Sequence, residues 1–72
     1  MLHGRIRRVV PEHGFGFIVD DTGLDWFFVE AGLRDVPLGA LRPKDHIVFA
    51  PEWTSGGPRA KDIAISGVRY VE

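Results

Sequence analysis

Phenylalanine and glycine alternate in one short segment of this 72-residue chain, in a pattern that could bind flat aromatic ligands. The segment FGFIV at positions 15–19 contains Phe15 and Phe17, and the segment DWFFV at positions 25–29 contains Phe27. Successive side chains of a strand point to opposite faces, so Phe15 and Phe17 would share one face. Exposed rings of this kind can stack on nucleobases, and each stack contributes roughly 1–3 kcal/mol.

Basic side chains accompany these rings, although the formal net charge is only −1. The candidates for contacts with bases or phosphates are Arg7, Arg8, His13, Arg59 and Lys61. Arginine can stack on a base as well as pair with a phosphate. Acidic residues lie among them, at Asp20, Asp21, Asp25 and Glu30. A mixed pattern of this kind is also typical of an ordinary solvated surface.

Turn signals divide the chain into short runs of β-forming residues. The turn signals are PEHG (11–14), DDTG (20–23), RPKD (42–45) and TSGGP (54–58). The predicted strands are RIRRVV (5–10), FGFIV (15–19), DWFFV (25–29), HIVFA (46–50) and DIAISGVRYV (62–71). Positions 30–43 show no clear period, and we expect a long loop with a short helical turn. Five short strands in so small a chain predict a closed barrel, because an open sheet would leave two edges exposed.

Alternation within these strands separates a core face from an outer face. The predicted core is Ile6, Ile18, Trp26, Phe28, Ile47, Phe49 and Ile63. This set fills one small interior, so Phe15, Phe17 and Phe27 are expected to point outwards, unless the two faces are inverted. The consecutive Arg7 and Arg8 break the alternation and predict a β-bulge. We interpret the glycines next to the rings as allowing a ligand to approach the strand closely.

Five sequence blocks in order resemble the cold-shock domain, and bacterial cold-shock proteins in particular. GFGFI (14–18) resembles the first ribonucleoprotein motif of the family, K-G-F-G-F-I, with His13 in place of its lysine. DWFFVE (25–30) corresponds to the second motif, D-V-F-V-H-F. The other blocks are MLHGRIR at the start of the chain, LRPKDHIVF (41–49) and GGPRAKDI (56–63). The resemblance implies an all-β, five-stranded antiparallel barrel of the oligonucleotide-binding (OB) type. It also implies binding of single-stranded RNA or DNA, as an RNA chaperone or regulator.

The chain departs from the family pattern at several stacking positions. The family sequence W-F-N is replaced by Arg8, Val9 and Val10, and the last two residues of the second motif are Val29 and Glu30. A loop aromatic is replaced by Leu38. Three family rings remain, Phe15, Phe17 and Phe27, and Arg8 could replace part of the missing tryptophan. We therefore expect weaker binding than is usual in the family.

Two tryptophans also depart from the pattern. Trp26 occupies a core valine position, where we expect it to fill the barrel. Trp53 is additional, either as hydrophobic cover, the interpretation we favour, or as a further stacking ring.

Composition and residue types restrict the other functions. The chain has no cysteine, so disulfides and cysteine-based zinc sites are excluded. The three histidines, His3, His13 and His46, are scattered, and no nucleophile–base pair is evident, so we predict no enzyme, metal site or cofactor. We expect one domain over residues 1–72, monomeric, cytoplasmic and without a membrane span. The alternative function is a protein-interaction module on a cold-shock-like barrel whose nucleic-acid site has degraded.

Overall fold

Five short strands close into a barrel, as the spacing of the turn signals predicts. The computed structural model describes residues 1–66. The strands are β1 (Leu2–Val10), β2 (Phe15–Asp20), β3 (Asp25–Val29), β4 (His46–Thr54) and β5 (Gly57–Ile65). Their order around the barrel is β1-β2-β3-β5-β4, which is consistent with the OB type. The prediction of an all-β, closed five-stranded barrel is therefore confirmed.

Short 3-10 turns take the place of helices in the connections. They span Pro11–His13, Glu30–Gly32 and Leu38–Ala40. The last two lie in the predicted long loop, which therefore contains two helical turns where one was expected. Within residues 1–66, no helix is long and apolar enough to cross a membrane.

The strand pairing is mixed, so the expectation of a purely antiparallel barrel is wrong. Four of the neighbouring pairs are antiparallel, whereas β3 and β5 run parallel, with Phe27 opposite Arg59. The reason is geometric. Strands that alternate in direction can close a ring only when their number is even, so a ring of five must contain a parallel contact.

The fifth strand begins five residues earlier than the predicted segment 62–71. β4 and β5 form one long hairpin in which Trp53 pairs with Pro58 and Thr54 pairs with Gly57. The turn consists of Ser55 and Gly56, so only part of TSGGP is loop. Pro58 is tolerated because it lies at the start of its strand. Residues 67–71 of the predicted strand lie outside the described residues.

The barrel interior contains all seven predicted core residues. Phe28, Phe49, Ile18 and Ile63 are completely buried, and Ile6, Trp26 and Ile47 are nearly so. Leu38, Leu41 and Ala60 complete the buried cluster. Leu38 therefore faces the core. The 3-10 turn that carries Leu38 directs its side chain into the barrel, so this position offers no stacking surface.

Gly16 lies on the inner face of β2, directly against the ring of Phe28. A Cβ atom at Gly16 would lie 2.7 Å from Cζ of Phe28 and 2.8 Å from the carbonyl oxygen of Arg8. The missing side chain therefore makes room for Phe28, and our interpretation that it admits an outside ligand is wrong. Gly14 has a φ of 75° and ends the first 3-10 turn, so its role is also conformational.

The predicted bulge is present in β1. The register between β1 and β2 pairs Ile6 with Ile18 and then Arg8 with Phe17, which leaves Arg7 as the additional residue. As a result, both Arg7 and Arg8 lie on the exposed side of the strand.

Gly16→Ala should destabilise the barrel by about 1–3 kcal/mol, because the new methyl group overlaps Phe28 and backbone atoms that cannot both move away. Urea unfolding followed by circular dichroism measures this change. Gly39→Ala is the matched control, since nothing lies within 4 Å of its Cβ position, and it should change stability by less than about 0.5 kcal/mol. Equal stabilities of the two variants would contradict the close packing at Gly16.

Candidate nucleic-acid interface

Three phenylalanine rings form one cluster on the outer face of β2 and β3. The ring centroids of Phe15 and Phe17 lie 5.9 Å apart, and each of them lies 5.7 Å from that of Phe27. Phe27 is 36% exposed, and the other two rings are half-buried. The prediction that all three are at least partly exposed is confirmed. We call Phe15, Phe17 and Phe27 the phenylalanine platform.

The register of β2 and β3 brings these rings together. Phe17 pairs directly with Phe27, and Phe15 pairs with Val29. Ring pairs at these distances and at interplanar angles of 63–85° are in favourable edge-to-face packing. The rings thus support one another, and the platform forms part of the sheet itself.

Arginines flank the platform on both sides in the same register row. Arg8 pairs with Phe17 across β1 and β2, and its guanidinium carbon lies 5.7 Å from the centroid of that ring. Arg59 pairs with Phe27 across β5 and β3. We call Arg8, Phe17, Phe27 and Arg59 the arginine-flanked row. Glu52 lies beyond it, as the β4 partner of Arg59.

His13 and Glu30 lie at the Phe15 end of the platform. The imidazole of His13 is roughly parallel to the ring of Phe15, with 6.4 Å between the centroids and 24° between the planes. The backbone N–H of Glu30 donates a hydrogen bond of 2.9 Å to the carbonyl of Gly14. Its carboxylate oxygen Oε1 lies 4.0 Å from the Cβ position of Gly14. A negative charge is therefore placed next to the turn that carries His13.

The other two predicted basic residues lie differently. Nε of Arg7 donates a hydrogen bond of 2.8 Å to Asp25, in an ion pair whose side chains are both about half exposed. Asp25 thus partly neutralises the positive charge of Arg7 at the edge of the platform. Lys61 is exposed on β5, two residues beyond Arg59, and its Cα lies 3.7 Å from the Cβ position of Gly32. Lys61 therefore lies beside the 3-10 turn that follows β3.

Trp53 contacts the buried end of the barrel. Its ring centroid lies 5.2 Å from that of Trp26, which is 2% exposed, whereas Trp53 itself is 69% exposed. This contact covers one side of Trp26 and leaves most of the Trp53 ring exposed, so cover and a further stacking ring both stay predictions. Trp26 fills the barrel, as expected, with its ring 5.4 Å from that of Phe49.

The carboxylate of Asp20 organises the turn between β2 and β3 and so aligns the two strands of the platform. Oδ1 accepts hydrogen bonds from the Thr22 hydroxyl (2.6 Å) and from the backbone N–H groups of Thr22 (2.8 Å) and Leu24 (3.0 Å). Oδ2 accepts one of 2.8 Å from Nε1 of Trp26. The Thr22 hydroxyl and then the Trp26 indole are the main groups that hold the pKa of Asp20 well below its usual range.

Some parts of this surface have no local signal in the sequence. The position of Arg59 beside Phe27 depends on a parallel contact between distant segments, and the position of Glu52 depends on the long β4–β5 hairpin. The ion pair of Arg7 with Asp25 likewise depends on the bulge. Within residues 1–66, no group of three or more histidine and acidic side chains could hold a metal ion.

No model of a known protein family matches the chain, and no curated protein matches it. The resemblance to the cold-shock domain therefore rests on the motifs themselves.

Asp20→Asn should destabilise the protein at neutral pH, because a single amide oxygen cannot accept from both Trp26 and the turn. The folded-state pKa of Asp20 is lowered, so its contribution to stability is present above its ordinary value near 3.8. This contribution is lost as the pH falls below that value towards the folded-state pKa. Urea unfolding at pH 7 and at pH 3 should therefore show a smaller difference between parent and variant at pH 3.

Asp21→Asn is the control for this measurement, since Asp21 is exposed and accepts none of the four hydrogen bonds. It should behave like the parent at both pH values. A difference between parent and Asp20→Asn that stays constant with pH would exclude the carboxylate as its cause.

Proposed function

We propose that this protein binds single-stranded nucleic acid through the outer face of β2 and β3. The observation that carries the proposal is the phenylalanine platform, whose three rings lie outside a barrel that other side chains already fill. Apolar rings placed at a surface are available to stack on bases, and every base offers a π-face. The resemblance to the cold-shock domain supports the same use of these rings.

Basic groups around the platform support the proposal further. Arg8 and Arg59 flank the rings, His13 lies beside Phe15, and Lys61 lies on β5 beside the 3-10 turn that follows β3. These groups could contact the phosphates that accompany stacked bases. The net charge of −1 and the acidic neighbours of the platform predict modest affinity. Affinity should fall as salt rises, with a log–log slope of about −0.7 for each phosphate that the basic groups neutralise. We therefore propose an RNA chaperone or regulator that binds more weakly than cold-shock proteins usually do.

A second candidate is a protein-interaction module that uses the same face. The ion pair between Arg7 and Asp25, together with the carboxylate of Glu30 near His13, reduces the positive potential beside the platform. An apolar patch with mixed charges at its rim is also what a protein partner would contact. Binding to oligonucleotides distinguishes the two functions.

Phe17→Ala and Phe27→Ala should each weaken binding to fluorescein-labelled oligo-dT or oligo-U by roughly 1–3 kcal/mol, because each removes one stacking surface. Fluorescence anisotropy of the labelled oligonucleotide at low salt measures the affinity directly. Tryptophan fluorescence would report binding only indirectly, because Trp53 lies off the platform. Circular dichroism and urea unfolding establish that each variant is folded.

Leu24→Ala is the control for these variants, because Leu24 is a comparably exposed apolar side chain in the loop before β3. It should bind as the parent does. If folded Phe17→Ala and Phe27→Ala also bind as the parent does, the platform is not the site. If the parent binds no oligonucleotide at low salt, the protein-interaction function is the better one.

Glu30→Gln should tighten binding, because it removes a carboxylate that repels phosphates near His13. The gain should be about 0.2–1 kcal/mol, the usual range for exposed charges, and it should shrink as added salt screens the interaction. Titrations at several salt concentrations test both points. Asp21→Asn is the control, because it removes an equal charge in the β2–β3 turn, and it should change the affinity less. If both variants change the affinity equally, the effect comes only from the net charge and not from the position of Glu30.

A further inference from the structure

The arginine-flanked row contains two guanidinium groups in register with two stacking rings, and we propose that it selects guanine among the bases of a single strand. This inference rests on the proposed function, since it concerns the base preference of the same site. Within residues 1–66, the ion pairs formed by arginine are those of Arg7 with Asp25 and of Arg34 with Asp62. Arg8 and Arg59 belong to neither pair, so no carboxylate in this part of the chain neutralises either of them directly.

The register places each arginine on the strand next to a stacking ring. Neighbouring strands of a sheet lie about 4.8 Å apart, so a base on Phe17 has Arg8 on the adjacent strand, and a base on Phe27 has Arg59. The guanidinium carbon of Arg8 lies 5.7 Å from the centroid of Phe17. This distance is within the roughly 6 Å of a cation–π contact, so the guanidinium of Arg8 lies over the Phe17 ring and must move aside when a base stacks there. From its adjacent strand, each arginine can then reach the edge of the base that its neighbouring ring supports.

Guanine is the base whose edge suits this arrangement best. The guanidinium group is a planar fork of donors that pairs with two adjacent acceptors, and guanine offers O6 and N7 side by side. Adenine has a donor, its N6 amino group, next to N7. Thymine and uracil have a donor N–H between their two carbonyl oxygens. Cytosine has two adjacent acceptors, but its single ring covers less of a phenylalanine than a purine does.

Single strands make these edges accessible. A base that is splayed out and stacked on a side chain exposes both its Watson–Crick and its Hoogsteen edges to hydrogen bonding. If Arg8 and Arg59 instead contacted phosphates only, affinity would depend on charge and salt but hardly on the base. The base dependence of affinity therefore separates the two roles of these arginines.

The test compares labelled DNA oligomers of about eight nucleotides, a length within the roughly 4–16 nucleotides that an OB fold covers. The oligomers are alternating TG, TA and TC sequences, oligo-dT, and the TG sequence with 7-deazaguanine, which lacks the N7 acceptor. A good bidentate pair should make TG bind about fivefold to 150-fold more tightly than TA. The 7-deazaguanine oligomer should lose most of that preference.

Lysine substitutions then assign the preference to the arginines. Arg8→Lys and Arg59→Lys keep the positive charge but lose the fork of donors, so each should reduce the ratio of TG to TA affinity, and the double variant should nearly abolish it. The salt dependence should change little, because the charge is retained. Arg42→Lys, in the loop before β4 and outside the row, is the matched control and should keep the preference of the parent.

The outcomes separate this inference from the proposed function. If the parent binds none of the oligomers at low salt, the proposed function fails and the base preference fails with it. If the parent binds all of them with similar affinity, or binds TC as tightly as TG, only the guanine preference is overturned. A preference for TG that survives in the double lysine variant would overturn the assignment to Arg8 and Arg59.

Discussion

The contact between Gly16 and the ring of Phe28 is the constraint on which the rest of this surface depends. Gly16 and Phe28 are register partners on the inner side of β2 and β3, and the ring occupies the space that any side chain at position 16 would need. Because side chains alternate along a strand, this inner pair puts Phe17 and Phe27 together on the outside. A slip by one residue would bury the platform and expose the core.

The parts of the fold that depend on alternation could be predicted from the sequence. β3 has the predicted bounds, and β2 differs from its predicted segment by one residue. In both strands, residues that face the core alternate with phenylalanines that face outwards. The same pattern identified the core and the outward rings. The bulge was also predictable from the consecutive charged residues Arg7 and Arg8. Because Ile6 is buried, regular alternation would put Arg8 inside the barrel, and a bulge avoids this.

The parts that depend on contacts between distant segments could not be predicted in this way. The start of β5 was missed because glycine and proline at positions 57 and 58 are typical of loops, although here they continue a hairpin. The inward orientation of Leu38 depends on a 3-10 turn with no periodic signal. The place of Arg59 in the candidate site depends on how the ring of strands closes. The role of Gly16 could not be predicted, because a glycine in a sequence does not show which group uses the space beside it. That space can be filled by a core side chain, as by Phe28 here, or by a ligand outside the barrel.

The parallel contact between β3 and β5 gives the barrel a seam. Its register contains one pair, Phe27 with Arg59, and a bridge between Leu33 and Ile63 extends the same side of the barrel. The other neighbouring strands are held by longer ladders, so this seam is where partial opening of the barrel would begin. Opening it would separate Arg59 from both rings of the row. A nucleic-acid strand bound across Phe27 and Arg59, as we propose, would contact both sides of this seam. Its binding would therefore stabilise the closed barrel.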